Sequence, residues 1–257
     1  MTVAVPPEVV SALRQARHVG VLTGAGVSAE SGIPTFREAL TGLWARYDPA
    51  ELASPGGFAR DPERVWRWYR ERRMAIARAE PNPAHRALVD LEGRVDRFTL
   101  ITQNIDALHA RAGNRDVVEL HGNITRVRCS VENVVVPDFE DGDAVPTCPA
   151  CGACLRPDVV WFGELLPMTA LERAWAAARD ADFFLSVGTS NLVEPAASLP
   201  WIAARSGALV VVVNPSDEGQ QHGPTIHHLA GPAGQVLPAL LAAAWPDSAA
   251  ETPRVDS

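Results

Sequence analysis

The sequence predicts an α/β fold: a Rossmann-like, doubly wound parallel sheet with a smaller lobe inserted. Three observations predict it. Four apolar runs, His18 to Thr23, Phe98 to Thr102, Asp182 to Val187 and Ala208 to Val213, each stop abruptly at small or polar residues. Helical stretches lie between them, such as Pro167 to Arg179 and Leu192 to Arg205. The last run is continuous Val and Leu, as expected of a parallel strand with no solvent face. Strand–helix alternation of this kind buries a parallel sheet on both sides.

In such sheets ligands bind beyond the carboxyl ends of the strands. Here those ends read Gly24-Ala25-Gly26, Gln103-Asn104-Ile105-Asp106, Gly188-Thr189-Ser190 and Asn214-Pro215-Ser216, so one site can gather all four. Two stretches break the alternation. Residues 34–83 are rich in Arg and Trp and read as helical, whereas residues 127–157 hold all the cysteines and show little helical periodicity. We expect a discontinuous sheet domain over 1–33, 84–126 and 158–245, a small helical and metal-binding lobe over 34–83 and 127–157, and a disordered tail over 246–257.

Composition narrows the function classes. The formal net charge is −8, with 31 acidic residues against 23 basic ones, all of them arginine. A general nucleic-acid binder needs a basic surface, so that class is disfavoured. No apolar run is long enough to span a bilayer, and Met1 to Val9 lacks the pattern of a secretory signal, so a cytoplasmic protein is expected. The clustered cysteines Cys129, Cys148, Cys151 and Cys154 then read as a metal site before they read as disulfides.

The turn after the first strand, Gly24-Ala25-Gly26-Val27-Ser28-Ala29, matches G-x-G-x-x-A. Its glycines let backbone N–H groups approach a pyrophosphate at a helix start. Alone the match is weak, because a tight ligand-free turn uses the same residues. No second strand ending in an acid follows, which disfavours a hydride-transfer enzyme while leaving a dinucleotide open.

The stretch from Gly24 to Arg37, GAGVSAESGIPTFR, resembles the long NAD-loop signature of the sirtuin family. Thr102-Gln103-Asn104-Ile105-Asp106-Ala107-Leu108-His109, Glu119-Leu120-His121-Gly122 and the segment from Leu155 to Glu164 are similar to further family motifs. Gly188-Thr189-Ser190 and Asn214-Pro215 complete the set, in the family's order, over residues 10 to 245. The resemblance implies that NAD is consumed while an acyl group leaves a lysine side chain. The acyl oxygen attacks C1′ of the nicotinamide ribose, nicotinamide departs, and the acyl group ends on ADP-ribose.

Site residues follow from the same resemblance. By residue type alone His121 is better read as structural; the family motif makes it the general base. Asn104 would orient the ribose or a water, Gln103 would contact the ribose, Asp106 would bind the carboxamide of nicotinamide, and Ile105 would belong to the same NAD site. Gly24, Ala25, Gly26, Ser28, Ile33, Phe36 and Arg37 would form the NAD loop, with Phe36 over the ribose and Ser28 and Arg37 at the phosphates. Gly188, Thr189, Ser190, Asn214, Pro215, Ser216 and Ala233 would line the adenosine half. Val160, Trp161, Phe162 and Gly163 would pair with the substrate peptide as an added strand. Val193 would serve the second pairing segment, where Asn191 and Glu194 depart from the family's pattern. For His85, His222, His227 and His228 a structural or surface role is expected, and His109 would at most help shape the site.

Two features bear on the acyl group and the metal. Asp61-Pro62 is a helix start, after which Tyr69 and Arg72 share one face. Spacing alone favours an arginine that snorkels to water. The resemblance points instead to the Tyr-x-x-Arg motif of sirtuins that remove succinyl, malonyl and glutaryl groups, and the small Ala53 fits that class. A desuccinylase and demalonylase with deacetylase activity is therefore expected. Cys148 and Cys151 make one half of a zinc site, but the other half has Cys129 followed by Glu132 where the family has a second cysteine. Three readings stay open: zinc on all four cysteines, zinc on three with Glu132 or water, or a lobe without tightly bound metal. Outside deacylation, the same NAD site would suit an NAD or ADP-ribose sensor or a mono-ADP-ribosyltransferase.

Overall fold

The structure, a computed structural model, describes residues 3–34, 49–216 and 223–246. Its strands are β1 (His18–Thr23), β2 (Arg97–Thr102), β3 (Val117–Glu119), β4 (Gly122–Cys129), β5 (Val135–Val136), β6 (Leu155–Val159), β7 (Phe183–Val187), β8 (Leu209–Asn214) and β9 (Ile226–Ala230). Its helices are α1 (Pro7–Gln15), α2 (Pro49–Leu52), α3 (Pro55–Arg60), α4 (Pro62–Arg78), α5 (Pro83–Glu92), α6 (Leu108–Ala112), α7 (Met168–Asp180), α8 (Leu199–Arg205) and α9 (Ala233–Ala244).

Six strands form a sheet in the order β3-β2-β1-β7-β8-β9, and every pairing in it is parallel. The order reverses between β1 and β7, which opens a crevice beyond their carboxyl ends. Period-two alternation splits the side chains between two apolar layers. Val19, Val21, Val211 and Val213 join the core under α1, α5 and α9, while Leu22, Val210 and Val212 join the one under α7 and α8. Each fully buried Val or Leu contributes about 1.5–3 kcal/mol, so both faces resist exposure.

The predicted helix from Leu192 to Arg205 starts later than expected. Asn191 is left-handed at φ 53°, and Pro195 has no N–H to donate, so regular structure begins with a short 3-10 turn at Ala196–Ser198 and continues as α8. Pro246 is the last described residue, and the rest of the expected tail lies outside the described residues. No helix among the described residues is long and apolar enough to cross a membrane.

In a second, antiparallel sheet, β5-β4-β6, Cys129 ends β4, and the segment leading into β6 holds Cys148, Cys151 and Cys154. Helix α4 packs on this sheet. Asp61 caps the helix by accepting from Arg64 N at 3.0 Å, with Pro62 in the first turn, as the sequence predicted. Trp66 Nε1 donates to Gly142 O at 3.0 Å, Arg70 pairs with Asp143 at 2.7 Å, and Arg73 pairs with Asp141. The arginines of α4 thus tie the helical segment to the cysteine segment. Between the two sheets runs a joint of two residues: β3 ends at Glu119 and β4 begins at Gly122, leaving Leu120 and His121 between them.

Candidate active site

The Gly-rich turn is shaped first by packing. Gly24 N donates to Val187 O at 3.0 Å and Gly26 N to Gly188 O at 2.8 Å. A Cβ on Gly26 would lie 2.7 Å from Gly188 Cα, and one on Gly188, where φ is +62°, would lie 2.3 Å from Val27 N. The loops after β1 and β7 therefore touch backbone to backbone, which only glycine allows. A 3-10 segment, Ala25–Ser31, follows in place of a full helix and ends at left-handed Gly32.

The end of β2 is wired to that turn. Thr23 Oγ1 donates to Thr102 Oγ1 at 2.9 Å, which accepts from Asn104 N at 3.0 Å. Asn104 Nδ2 donates to Gly24 O and to Ser28 Oγ, both at 3.1 Å. Ser28 Oγ donates to Asp106 Oδ2 at 2.7 Å, and Leu108 N donates to Asp106 Oδ1 at 2.9 Å. Burial dominates over these bonds and pushes the Asp106 carboxyl above its usual range. Gln103 Nε2 donates to Thr189 Oγ1 at 3.0 Å, and Asn214 Nδ2 donates to Thr189 O at 2.8 Å. Hydrogen bonds thus link the ends of β1, β2, β7 and β8, gathering Gly24, Ala25, Gly26, Ser28, Gln103, Asn104, Asp106, Gly188, Thr189 and Asn214.

His121 joins this cluster through the end of β2. Its Nδ1 lies 2.8 Å from Gln103 O. A carbonyl only accepts, so Nδ1 carries the proton and Nε2 keeps its lone pair in the neutral ring. Burial pulls its pKa below the ordinary imidazole range, and the Gln103 carbonyl opposes that only in part. A neutral ring with a fixed tautomer is what a general base requires. The backbone is pinned as well: His121 O accepts from Val160 N at 2.9 Å, and a Cβ on Gly122 would lie 2.1 Å from Asp158 O.

Tyr69 is buried on α4, and its oxygen accepts from Trp161 Nε1 at 2.9 Å. Burial pushes its phenol up to about 12. Arg72 lies one turn on, half-buried, with its guanidinium carbon 4.8 Å from the Trp68 ring centroid. Ala53, Ile33 and Ile105 pack on the same apolar cluster as Tyr69 and Trp161. Two residues the sequence reading passed over hold Trp161 in place. Arg156 stacks on its ring at 3.5 Å and pairs with Glu164 at 2.5 Å, and Glu164 Oε2 accepts from Trp161 N at 2.8 Å. Both lie in the Leu155–Glu164 segment, but their spacing in sequence does not mark them as a pair. Phe162 N donates to Ala53 O at 2.9 Å, so the N–H groups of Val160, Trp161 and Phe162 are all engaged within the chain.

Other predicted residues lie at the margin. Phe162, Gly163 and Val193 are exposed, as are Pro215 and Ser216, and Ser190 is half-buried. Ala233 is buried at the start of α9, where Glu30 Oε2 accepts from Gly234 N at 2.7 Å. Phe36, Arg37 and His222 lie outside the described residues.

The Sγ atoms of Cys129, Cys148 and Cys151 all lie within 4.8 Å of one another, and those of Cys129 and Cys151 are 3.5 Å apart. Three converging thiols are a soft donor set that fits zinc. Neither Cys154 nor the Glu132 carboxylate belongs to this group. Cys154 packs instead against the cluster around Tyr69 and Trp161, and Glu132, exposed, contributes its backbone N–H to Cys129 Sγ at 3.3 Å.

Comparison with known proteins gives a consistent result. The Sir2 family model matches residues 24–195. NAD-dependent protein deacylase 1 of Pseudomonas aeruginosa is 54% identical over 247 residues, covering 93% of this chain and 98% of its own. An NAD-dependent protein deacylase of Methylococcus capsulatus is 52% identical over 245 residues, 92% of this chain and 96% of that one. Among solved structures, a mutant Sir2 homologue in complex with ADP-ribose superposes with a TM-score of 0.85 at 41% identity, covering 97% of this chain and 100% of the other. A Sir2 homologue in complex with NAD gives 0.82 at 40% identity, covering 94% of each chain.

Proposed function

The chain belongs to the Sir2 family and is an NAD-dependent protein-lysine deacylase, and from that premise we propose that it removes succinyl and malonyl groups, and acetyl as well. NAD enters as a co-substrate and is consumed. His121 is the base: its Nε2 takes a proton from the ribose hydroxyls once the acyl oxygen has joined C1′. Asn104 and Gln103 orient the ribose, Asp106 holds the carboxamide of nicotinamide, and Ile105 adjoins the NAD site. Ser28 lies beside the phosphates, and Gly188, Thr189 and Asn214 line the adenosine half. Gathering the reactants in line supplies most of what the protein must do. Residues 34–83 and 127–157 act as one lobe that presents the acyl-lysine, and the cytoplasm is the compartment this reading implies.

One observation carries the acidic-acyl reading: the Tyr69 hydroxyl, bonded to Trp161, and the Arg72 guanidinium, over the Trp68 ring, are neighbours one turn apart on α4. Burial lowers the Arg72 pKa, and the neighbouring Tyr69 raises it. A carboxylate arriving there gains a charge-assisted bond to Arg72 and a donated O–H from Tyr69. The Phe162–Gly163 edge offers the peptide its remaining backbone groups.

The test compares matched succinyl- and acetyl-lysine peptides, following nicotinamide and acyl-ADP-ribose. Tyr69→Phe with Arg72→Met is expected to lower kcat/KM for the succinyl peptide about a hundred-fold, two lost polar contacts of about 1.5 kcal/mol each. Acetyl turnover should remain. Undiminished succinyl turnover in the double variant would refute the acyl assignment. Nicotinamide release with no acyl transfer would indicate ADP-ribosyl transfer instead, and neither product would indicate a sensor.

A further inference from the structure

The cysteine lobe contains two turns of the same construction. In the first, Asn133 N donates to Cys129 O at 3.1 Å, and Asn133 is left-handed at φ 56°. In the second, Gly152 N donates to Cys148 O at 2.8 Å, and Gly152 is left-handed at φ 76°. Each turn opens with a buried cysteine whose thiol belongs to the metal-ligating group. The fourth residue of the second turn is Cys151, also in that group. The fourth residue of the first turn is Glu132. Its backbone therefore occupies the place that Cys151 occupies in the partner turn, and its N–H already rests on Cys129 Sγ at 3.3 Å.

Cys154 is excluded by the strand it belongs to. It bridges Thr147, its carbonyl accepts from Ser130 N at 3.1 Å, and it leads directly into β6. Adjacent residues of an extended chain face opposite sides. Leu155 packs with Cys129 and Cys148, so Cys154 turns the other way, into the cluster with Trp161 and Tyr69. Reaching the thiols would reverse both faces of the strand.

We propose that the Glu132 carboxylate completes a metal site with the thiolates of Cys129, Cys148 and Cys151 as its fourth ligand, and that Cys154 takes no part. A carboxylate is one of the oxygen ligands zinc accepts, and it keeps the charge of the thiolate it replaces. Because Cys151 and Glu132 are both exposed, the open flank of the site faces solvent.

The test uses the full-length protein and metal readouts. Zinc content is measured after purification, zinc release to a chelator is timed, and the cobalt-substituted protein is examined by absorption. Cys154→Ala should keep one zinc, an unchanged release rate and an unchanged cobalt spectrum. Glu132→Ala should release zinc about ten-fold faster or more. Glu132→Cys should release it more slowly and strengthen the thiolate-to-cobalt band by one ligand's share. Far-ultraviolet circular dichroism of each variant confirms that the fold is retained. If Cys154→Ala loses the metal while Glu132→Ala does not, the assignment is reversed and the proposal fails. It fails equally if Glu132→Ala matches the wild type, which would leave water as the fourth ligand, or if the wild type binds neither zinc nor cobalt. None of these readouts depends on which acyl group the enzyme removes.

Discussion

Two histidines are held neutral in the core, and the acid stability of the fold should follow from them. His85 and His109 are buried with ring centroids 4.8 Å apart. His109 Nε2 bonds Thr23 Oγ1 at 2.9 Å, and His85 Nδ1 accepts from Asn82 N at 3.3 Å. Burial pushes His85 down to about 4, with the Arg86 charge adding to it, and His109 down to about 3, where a second proton beside His85 would add repulsion. In the unfolded chain both titrate near 6.5. A depressed folded pKa leaves stability intact above the unfolded value and erodes it as pH falls toward the folded one. Between pH 7.5 and 5 each ring forfeits about 2 kcal/mol, hence about 4 kcal/mol together. For a chain of this length that lowers Tm by about 8–16 °C. The assay is urea unfolding at pH 7.5, 6.5, 5.5 and 5.0, with a His85→Gln/His109→Gln variant as reference. Glutamine keeps a donor and an acceptor but does not titrate. The gap between the two proteins should close by about 4 kcal/mol over that range. Parallel stability curves would refute the claim that the fold holds these rings neutral.

Further predictions concern the site. His121→Ala should lower kcat about 10²–10⁴-fold while NAD still raises Tm, and the acid limb of wild-type kcat/KM should fall below pH 6.5, since burial lowers this imidazole. Asp106→Asn should raise Tm at pH 7.5: the carboxyl pKa is raised by burial, so its ionisation costs stability as pH climbs through the folded value. That advantage should vanish below pH 3.8, where the unfolded carboxyl is protonated too. Gly122→Ala puts a Cβ 2.1 Å from Asp158 O at φ +78°; urea unfolding should show a loss of about 3 kcal/mol or more, with deacylation falling alongside because His121 must shift.

The legible parts were those encoded by short spans of chain. Abrupt strand ends exposed the sheet and the residues Gly24, Asn104, Asp106 and Gly188 at its crevice, because backbone geometry confines them there. The Asp61-Pro62 helix start was legible for the same local reason. What stayed hidden depends on residues far apart in sequence. Arg156 and Glu164 stood inside a recognised segment without a role of their own until Trp161 lies between them. The tautomer of His121 is set by the Gln103 carbonyl, just past the end of β2. His85 carried only a structural or surface reading and His109 at most a part in shaping the site, and only packing makes them a pair. Cys154 seemed as good a ligand as its neighbours, since its facing is decided by a bridge to Thr147.

The two-residue joint that carries His121 has a consequence for how this enzyme can diverge. Leu120 N bonds Thr102 O at 3.0 Å on one sheet, and His121 O accepts from Val160 N at 2.9 Å beside the other. Segments around the cysteines or beside α4 can lengthen or change their chemistry without moving the His121 imidazole. An insertion at the joint cannot, because one added residue would break the anchor at one end or the other. Side chains on α4 and around the antiparallel sheet are therefore free to drift, while the imidazole stays locked to the spacing between the sheets.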